Sequence, residues 1–243
     1  MKPVLVLADC VGSAEENIAA GASLLRAATF CISGGVPAVE RAIGSTLAAA
    51  AGRAVVAASF GPAELHRDYF EVARKAGATL IVAETMTSLS GALLAAGLAA
   101  AVGLPALVSF SLRADGSLLS GEALVSAVAE VLSCPAVAGV GLNCGTAPDS
   151  FAASVPALSA VVSRYESKWL YLSPAAGLPD ETGYYSCRPE DYAAAVVAMT
   201  ASAAEAGAGR IIAGGCCGTT PAHLRAVAER LCDVCDIRNF GDV

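Results

Sequence analysis

Strand-like apolar runs and alanine-rich helical runs alternate along the whole of this 243-residue chain. The pattern predicts strands at residues 4–8, 23–30, 54–59, 79–84, 106–111, 137–143, 169–173 and 210–214. It predicts helices at residues 14–20, 36–51, 64–76, 88–102, 121–132, 149–165, 189–206 and 221–231. Strict alternation indicates parallel β-α-β units, and strands that are apolar throughout are typical of a parallel sheet covered on both faces.

The number of these units bears on whether the sheet closes, since a barrel and an open doubly wound sheet both accommodate the alternation. Eight units in 243 residues favour an α/β fold of the (β/α)8 TIM-barrel type, a single domain over residues 1–243 with a shortened first unit. The Gly-x-Gly-x-x-Gly fingerprint does not follow the first predicted strand, which weakens a dinucleotide-binding alternative. In a barrel, reactive residues lie at the carboxyl ends of the strands.

Composition narrows the class of ligand. Charged residues make up 15% of the chain, its net charge is −7, and 56% of its residues are hydrophobic. An acidic chain without a lysine or arginine cluster is not expected to bind nucleic acid, so a small-molecule ligand is favoured. The uncharged run at residues 93–108 contains Gly103 and Pro105, and it predicts a buried helix, a turn and a strand rather than a membrane span.

Whether the cysteines of this chain form disulfides or stay as free thiols depends on the cellular compartment. The chain opens on a strand-like run with no signal peptide, which predicts a cytoplasmic protein without membrane association. Its nine cysteines should then stay reduced, and clustered thiols point to metal binding or catalysis. About half of them are expected to be small core residues, because free cysteine often packs in this way.

Three cysteines stand at the ends of two predicted strands. Cys144 closes the sixth strand, and Cys216 and Cys217 follow the eighth inside a glycine-rich turn. If both strands end on one face, three thiolates converge with a fourth position open, which is a ligand set of catalytic zinc. A thiol bound there would lose its proton at neutral pH and become a nucleophile. The alternative is that the adjacent pair only packs, or lies in a flexible turn.

Other motifs are less specific. Cys10 and Cys31 fall at the ends of the first two predicted strands, where they could approach the same site. Cys232 and Cys235 form a C-x-x-C pair, which fits half a second zinc site or a redox pair, but core thiols of the last helix are the favoured interpretation. His223 has no nucleophile elbow to accompany it, so a structural or helix-surface role is expected.

The cysteine motifs resemble those of the homocysteine S-methyltransferase family, barrels that methylate homocysteine to methionine. Residues 141–144 read GLNC, similar to the family's G-[VIL]-N-C, and residues 214–223 read GGCCGTTPAH, similar to its G-G-C-C-G-T-x-P-x-H. Residues 76–85, AGATLIVAET, resemble A-G-x-D-x-[IL]-x-x-E-T, and residues 108–111 resemble the V-S-F segment. The resemblance implies an S-methyltransferase that uses Zn²⁺ and homocysteine.

The resemblance also implies roles for individual residues. The implied zinc ligands are Cys144, Cys216 and Cys217, and the implied substrate-binding residues are Glu84, Asp9, Ser109 and Asn143. Glu84 would receive the amino group of homocysteine, and a carboxylate at a strand end suits an ammonium through charge-assisted hydrogen bonds. The alternative for Glu84 is a structural ion pair.

Two segments depart from the family pattern. Residues 9–13 read DCVGS where the family has D-G-x-M-G-T, and residues 27–30 read AATF where it has T-x-T-F. The second departure removes a polar residue, which is expected to alter how the carboxylate of the substrate is held.

The methyl donor is the least constrained part of the interpretation. Residues 174–179 read PAAGLP and resemble the P-N-A-G-L-P of the homocysteine module of cobalamin-dependent methionine synthase, which implies a separate methyl-corrinoid protein as donor. S-methylmethionine or betaine is the alternative, with Tyr184 and Tyr185 either facing its cation or packing. A non-catalytic zinc- or thiol-binding barrel, serving as a subunit or sensor, is the alternative function. A homo-oligomer is possible.

Overall fold

The computed structural model describes residues 4–8, 12–27, 34–113, 115–145, 151–232 and 236–237. For residues 4–8 and 236–237 this description covers the strands alone. Asp9, Cys10, Cys31 and Cys235 lie outside the described residues, so their proposed roles stay predictions. The expectation of a single domain over residues 1–243 also stays a prediction.

Parallel strands form one sheet that closes on itself. The strands are β1 (Val4–Ala8), β2 (Leu24–Ala27), β3 (Val55–Phe60), β4 (Leu80–Met86), β5 (Ala106–Phe110), β6 (Val137–Asn143), β7 (Trp169–Ser173), β8 (Arg210–Gly214) and β9 (Asp236–Ile237). Strands β2 to β8 pair in chain order, and β1 pairs with β8 along its length. Ala8 of β1 is in register with Leu24 of β2, which completes a barrel of eight strands and confirms the predicted fold class. The short β9 lies beside the first two residues of β1.

Eight α-helices lie wholly within the described part of the chain, one after each strand of the barrel. They are α1 (Ala14–Ala19), α2 (Gly35–Ala50), α3 (Arg67–Lys75), α4 (Leu89–Ala101), α5 (Leu124–Leu132), α6 (Val155–Val162), α7 (Pro189–Glu205) and α8 (Pro221–Cys232). The first helix has six residues, as the shortened first unit predicts. None of the helices in the described ranges combines the length and the apolar character that a membrane span requires.

Two helices begin later than the sequence pattern predicts, and a third predicted helix is divided; each difference has a local cause. Pro62 opens a separate 3₁₀ turn, Pro62–Glu64, so α3 begins only at Arg67. Gly121 has a φ of +100°, which a right-handed helix excludes, so α5 begins at Leu124. The predicted helix over residues 149–165 is divided: residues 151–152 are helical, and a turn at residues 153–154 separates them from α6, whose first turn holds Pro156, where its missing N–H is harmless.

Helix ends follow the glycine signals in the sequence. Gly77, Gly103 and Gly207 each come one residue beyond the capping residue of a helix and have φ values of +100°, +68° and +96°. A left-handed residue at this position ends the helix at little steric cost when it is glycine. These turns return the chain to the amino ends of the next strands.

The barrel interior divides into two levels along the strand direction. The lower interior, toward the amino ends of the strands, is an apolar cluster of Leu24, Ala57, Leu80, Val82, Leu107, Trp169, Tyr171 and Ile212. The upper interior, toward the carboxyl ends, contains the polar residues Arg26, Ser59, Glu84, Ser109, Asn143 and Ser173. Because side chains alternate between the two faces of a strand, residues two apart on one strand step from the lower level to the upper.

Glycines on β6 make room for the bulky lower interior. A Cβ at Gly141 would lie 1.7 Å from the carbonyl oxygen of Tyr171, and one at Gly139 would lie 2.5 Å from that of Trp169. Both distances are far inside van der Waals contact, so any larger residue would push β6 and β7 apart. The glycines therefore allow the two aromatic residues to fill the barrel.

Candidate thiol and carboxylate site

Three thiols meet at the carboxyl end of the barrel. Cys144 directly follows β6, and Cys216 and Cys217 follow β8. Their Sγ atoms all lie within 4.8 Å of one another, and those of Cys144 and Cys217 are 3.3 Å apart. The predicted convergence of these cysteines is therefore present in the fold, although Cys144 and Cys217 stand 73 positions apart in the chain.

Unusual backbone conformations bring the sulfur atoms together. Cys144 has a φ of +52°, a left-handed conformation that residues other than glycine rarely adopt. A Cβ at Gly215 would lie 2.4 Å from Oγ1 of Thr219, and one at Gly218 would lie 2.3 Å from the ring of Tyr185. The glycines flanking the cysteine pair are thus required by close packing in this turn.

Hydrogen bonds hold the cysteine pair against the loop that follows β7. The backbone N–H of Cys216 donates to the carbonyl of Pro174 at 2.9 Å, and the carbonyl of Cys217 accepts from the N–H of Ala176 at 2.8 Å. Thr219 donates its N–H and its hydroxyl to the carbonyl of Cys216 at 3.0 and 2.7 Å. These bonds position both thiols before any ligand arrives.

Asn143 links the two halves of the thiol cluster. Its Oδ1 accepts from the backbone N–H of Thr85 at 2.7 Å and from the hydroxyl of Ser109 at 2.6 Å. Its Nδ2 donates to Oγ1 of Thr85 at 2.8 Å and lies 3.9 Å from Sγ of Cys216. Asn143 and Ser109 are completely buried, and neither is among the described residues that line the cavity above the thiols. Direct substrate binding by either residue stays a prediction.

Thr85 is a second residue with a left-handed backbone, with a φ of +60°. This conformation costs about 1–3 kcal/mol for a residue other than glycine, and the steric conflict is most severe for a β-branched side chain such as threonine. The two hydrogen bonds to Asn143 offset that cost. The pairing of β4 with β5 shifts register between Ala83 and Met86, which marks the same irregularity at the end of β4.

Glu84 forms a buried ion pair beside the thiols. Its Oε2 accepts from Nη1 of Arg26 at 2.7 Å, and its Oε1 accepts from the hydroxyl of Ser59. The side chain of Arg26 is 1% exposed and that of Glu84 is 8% exposed. The ion-pair alternative for Glu84 is therefore realised, and the remaining exposed part of the carboxylate faces the cavity, where binding of an amino group stays a prediction.

A cavity of about 320 Å³ opens over these groups. It is lined by Ser59, Gly61, Pro62, Ala63, Glu64, Glu84, Thr85, Cys144, Cys216 and Cys217. Glu64 contributes a second carboxylate, whose Oε2 accepts from the backbone N–H of Gly61 at 2.6 Å. The 3₁₀ turn after β3 thus forms one wall of the cavity that the cysteines also line.

The proximity of the thiols changes their acidity. Hydrogen bonds from Cys144 and then Cys216, together with burial, hold the pKa of Cys217 far above its usual range. The pKa of Cys144 is also raised, chiefly by its hydrogen bond with Cys216. Three thiolates this close together repel one another unless a cation lies between them. Three sulfur ligands favour a soft or borderline metal ion, so the residues present fit zinc.

The other motifs take structural positions. His223 accepts at Nδ1 from the N–H of Thr220 at 3.2 Å, and its Nε2 lies 3.0 Å from the carbonyl of Cys187, so it ties α8 to the loop before α7. This agrees with a structural role for His223. Cys232 is exposed, so its prediction as a core thiol is wrong. Tyr185 packs on Gly218, whereas Tyr184 is 66% exposed.

Arg26 is the residue of the site that the sequence analysis missed. It stands within the predicted strand at residues 23–30, and it is the only charged residue in that run. A lone arginine at an inward-facing position of a barrel strand needs a buried partner, and that pattern could have indicated that such a partner exists without identifying the residue.

Comparisons with known proteins agree with the geometry of the site. A sequence model of the family described as homocysteine S-methyltransferase matches residues 12–231. Methionine synthase of Mycobacterium tuberculosis is 30% identical over 134 residues, and that of Mycobacterium leprae is 31% identical over 128 residues. These matches cover 54% and 51% of this chain but only 10% of either relative.

Solved structures resemble the chain in fold. The homocysteine methyltransferase MmuM of Escherichia coli, in its apo form, has a TM-score of 0.71 and 22% identity, over 95% of this chain and 96% of that one. Its metallated form has a TM-score of 0.72 and 20% identity, over 95% and 96% of the two chains. Dihydropteroate synthase of Stenotrophomonas maltophilia has a TM-score of 0.57 and 16% identity, over 96% and 92%. Since the family match extends over nearly the whole chain, this protein belongs to the homocysteine S-methyltransferase family of S-methyltransferase enzymes.

Proposed function

We propose that this protein transfers a methyl group to the thiol of homocysteine to give methionine, with Zn²⁺ held by Cys144, Cys216 and Cys217. The observation that carries the proposal is the placement of three thiols and the Glu84 carboxylate on one cavity of about 320 Å³. Membership of the family supports the acceptor, as do the names of the relatives, methionine synthase and homocysteine methyltransferase.

The sulfur ligands suit a zinc ion that leaves one position open to substrate. Zinc, when bound, lowers the pKa of a thiol that it coordinates, so that the sulfur is a nucleophile at neutral pH. The three Sγ atoms lie within 4.8 Å of one another, so a cation among them would relieve the repulsion between thiolates. MmuM of Escherichia coli has been solved in a metallated form, which is consistent with a metal in this fold.

The protein's own groups orient the acceptor. Glu84 would hold the ammonium of homocysteine through the exposed part of its carboxylate, while Arg26 and Ser59 fix that carboxylate from behind. Pro62 and Ala63 line one side of the cavity. The new sulfur–carbon bond forms as the bond between donor and methyl carbon breaks, and the thiol proton is released to solvent. Most of the rate enhancement then comes from proximity and an activated sulfur.

The donor would approach from the open side of the barrel mouth. A separate methyl-corrinoid protein is the donor that the similarity of residues 174–179 to the homocysteine module of cobalamin-dependent methionine synthase supports. S-methylmethionine and betaine are the small-molecule alternatives. The exposed ring of Tyr184 is available to contact either kind of donor.

A donor panel tests the proposal directly. Zinc-loaded protein is incubated with homocysteine and, separately, methylcobalamin, S-methylmethionine or betaine, and methionine is measured. We expect turnover with at least one donor and none with Cys216→Ala, whereas Cys232→Ser, at an exposed thiol outside the cluster, should retain the wild-type rate. Stoichiometric zinc without methionine from any donor would overturn the proposal and favour a non-catalytic zinc-binding barrel.

A further inference from the structure

Arg26 connects the two functional parts of the site and is not among the described residues that line the cavity. Its Nη1 donates to Oε2 of Glu84 at 2.7 Å, and its Nη2 donates to the carbonyl of Gly215 at 2.8 Å. Glu84 is the proposed receptor for the substrate's amino group, and Gly215 immediately precedes Cys216. One guanidinium therefore contacts a group from the substrate side and a group from the metal side.

Each partner of Arg26 has a second donor of its own. The hydroxyl of Ser59 donates to Oε1 of Glu84, and the hydroxyl of Ser173 donates to the carbonyl of Gly215 at 2.6 Å. Ser59 thus supports only the Glu84 carboxylate by this bond, and Ser173 supports only the turn that carries Cys216 and Cys217. The two serines act on the two halves of the site separately, whereas Arg26 acts on both.

The fold alone does not account for a charged residue at this position. A buried ion pair contributes little net stability compared with apolar residues of similar volume, because desolvation of the charges opposes their attraction. The planar guanidinium, however, holds two acceptors in a defined relative geometry, which a lysine ammonium or an apolar side chain does not. Its position is explained if the site needs Glu84 and the cysteine turn in a fixed relation.

We propose that Arg26 is a positioning residue that sets the Glu84 carboxylate and the Cys216–Cys217 turn at once, and so aligns the amino-acid end of the acceptor with its sulfur. This inference rests on the proposed function for the identity of the acceptor. Its action on the cysteine turn is independent of which thiol compound binds.

The role of Arg26 has two arms, its contact with Glu84 (the Glu84 arm) and its contact with Gly215 of the cysteine turn. Four variants separate them: Arg26→Gln, Arg26→Lys, Ser59→Ala and Ser173→Ala. Co²⁺ serves as the metal probe, since its thiolate absorption reports binding to the cysteines without turnover. Homocysteine binding is followed by the change that it causes in the Co²⁺ spectrum. 4-Mercaptobutyrate, which has the thiol and the carboxylate but no amino group, is the matched acceptor for the Glu84 arm.

We expect Arg26→Gln to weaken both Co²⁺ binding and homocysteine binding by about 10- to 100-fold each, the range typical of residues that support metal ligands. Ser59→Ala should weaken homocysteine binding alone and leave 4-mercaptobutyrate unaffected. Ser173→Ala should weaken Co²⁺ binding alone. Arg26→Lys should restore one of the two affinities that Arg26→Gln weakens but not both, because an ammonium lacks the planar pair of N–H donors of a guanidinium.

Thermal unfolding of each variant is measured alongside, since a purely structural arginine would lower Tm with Co²⁺ and homocysteine affinities unchanged. That result, or equal shifts of both affinities in the two serine variants, would overturn the proposal. If Arg26→Gln does not fold, the separation between Ser59→Ala and Ser173→Ala decides the question. Wild-type protein that binds Co²⁺ but methylates no acceptor would refute the proposed function, while the Co²⁺ affinities of Arg26→Lys and Ser173→Ala would still test the action on the cysteine turn.

Discussion

The lower and upper levels of the barrel interior use the same strands for different purposes. On β7, Trp169 and Tyr171 fill the lower interior, and two positions later Ser173 holds the carbonyl that leads into the cysteine turn. On β4, Val82 packs in the lower cluster and Glu84 carries charge above it. Two residues along a strand therefore separate a side chain that packs in the lower interior from one that lies at the site, and active sites at the carboxyl ends of the strands are general for barrels of this kind.

The two levels also differ in backbone strain. Thr85 and Cys144, at the upper ends of β4 and β6, have left-handed conformations, whereas the lower strand segments have regular pairing apart from the shift between Ala106 and Leu107. Strain of this kind persists only where surrounding contacts hold it, and at Thr85 these are the hydrogen bonds with Asn143. The lower interior supplies the rigid support that the upper interior needs.

Tyr171 stands at the boundary between the levels. Its ring belongs to the lower cluster, and its buried hydroxyl has no hydrogen-bond partner in the described part of the chain. Burial raises the pKa of this hydroxyl, and the positive charge of Arg26 opposes that shift only in part. At this boundary, therefore, one buried hydroxyl lacks a hydrogen-bond partner among the described residues.

The largest expected effect comes from removing a sulfur at the top of the barrel. Cys216→Ala should reduce metal affinity by more than about 100-fold, beyond the range for residues that merely support ligands, and should abolish methyl transfer. Metal content and methionine formation are measured together, with Cys232→Ser as the control. Activity that survives complete metal loss would break the assignment of the upper level to metal chemistry.

A methyl group in the lower interior should act on stability. Gly141→Ala places its Cβ 1.7 Å from the carbonyl of Tyr171, so we expect a loss of about 3 kcal/mol or more in the free energy of unfolding. Denaturant unfolding measures the loss. Gly97→Ala, in the middle of α4 with open space around it, is the control and should gain up to about 1 kcal/mol from helix propensity. Equal effects of both substitutions would contradict the packing argument.

Asn143→Ala should affect both properties. It leaves the N–H of Thr85 and the hydroxyl of Ser109 without their acceptor, which costs about 1–3 kcal/mol of stability. It also removes support from Cys216, so metal affinity should fall about 10- to 100-fold. Denaturant unfolding and Co²⁺ titration check the two effects. Metal affinity that stays at the wild-type value would limit the role of Asn143 to local backbone conformation.

The smallest effect is expected at the boundary. Tyr171→Phe removes a buried hydroxyl that has no described partner, so stability should change by less than about 1 kcal/mol and could increase. Thermal unfolding and the KM for homocysteine are the measurements. A loss of several kcal/mol would show that the hydroxyl has a partner, such as a buried water molecule, that joins the two levels.

Much of the barrel could be predicted from local patterns. Apolar runs placed the strands, and Gly77, Gly103 and Gly207 marked helix ends because left-handed turns favour glycine. The helix starts were less predictable, since Pro62 and Gly121 act through turns whose shape depends on the next strand. Cys232, in the C-x-x-C pair, was predicted to be a core thiol of the last helix, yet it is exposed at the end of α8.

The cysteines of the candidate site could be predicted because they lie in recognisable motifs, whereas the contacts of Arg26 could not. The similarity of two short segments to one family predicted that Cys144, Cys216 and Cys217 form one site. The fold places their sulfur atoms within 4.8 Å of one another. Nothing in the run around Arg26 indicates that its partners are Glu84, 58 positions away, and Gly215, 189 positions away. Such pairings depend on which strands face each other across the barrel.

The sequence by itself determined the order of strands and helices, the cysteine motifs and the family, because these follow from residue types at short spacing. The tertiary structure decided which side chains meet: the pairing of Arg26 with Glu84, the network of Asn143 and the left-handed backbone at Thr85 and Cys144. The physical reason is closure of the sheet. It brings the carboxyl ends of distant strands within hydrogen-bonding distance and buries their charges, and neither condition exists along the chain alone.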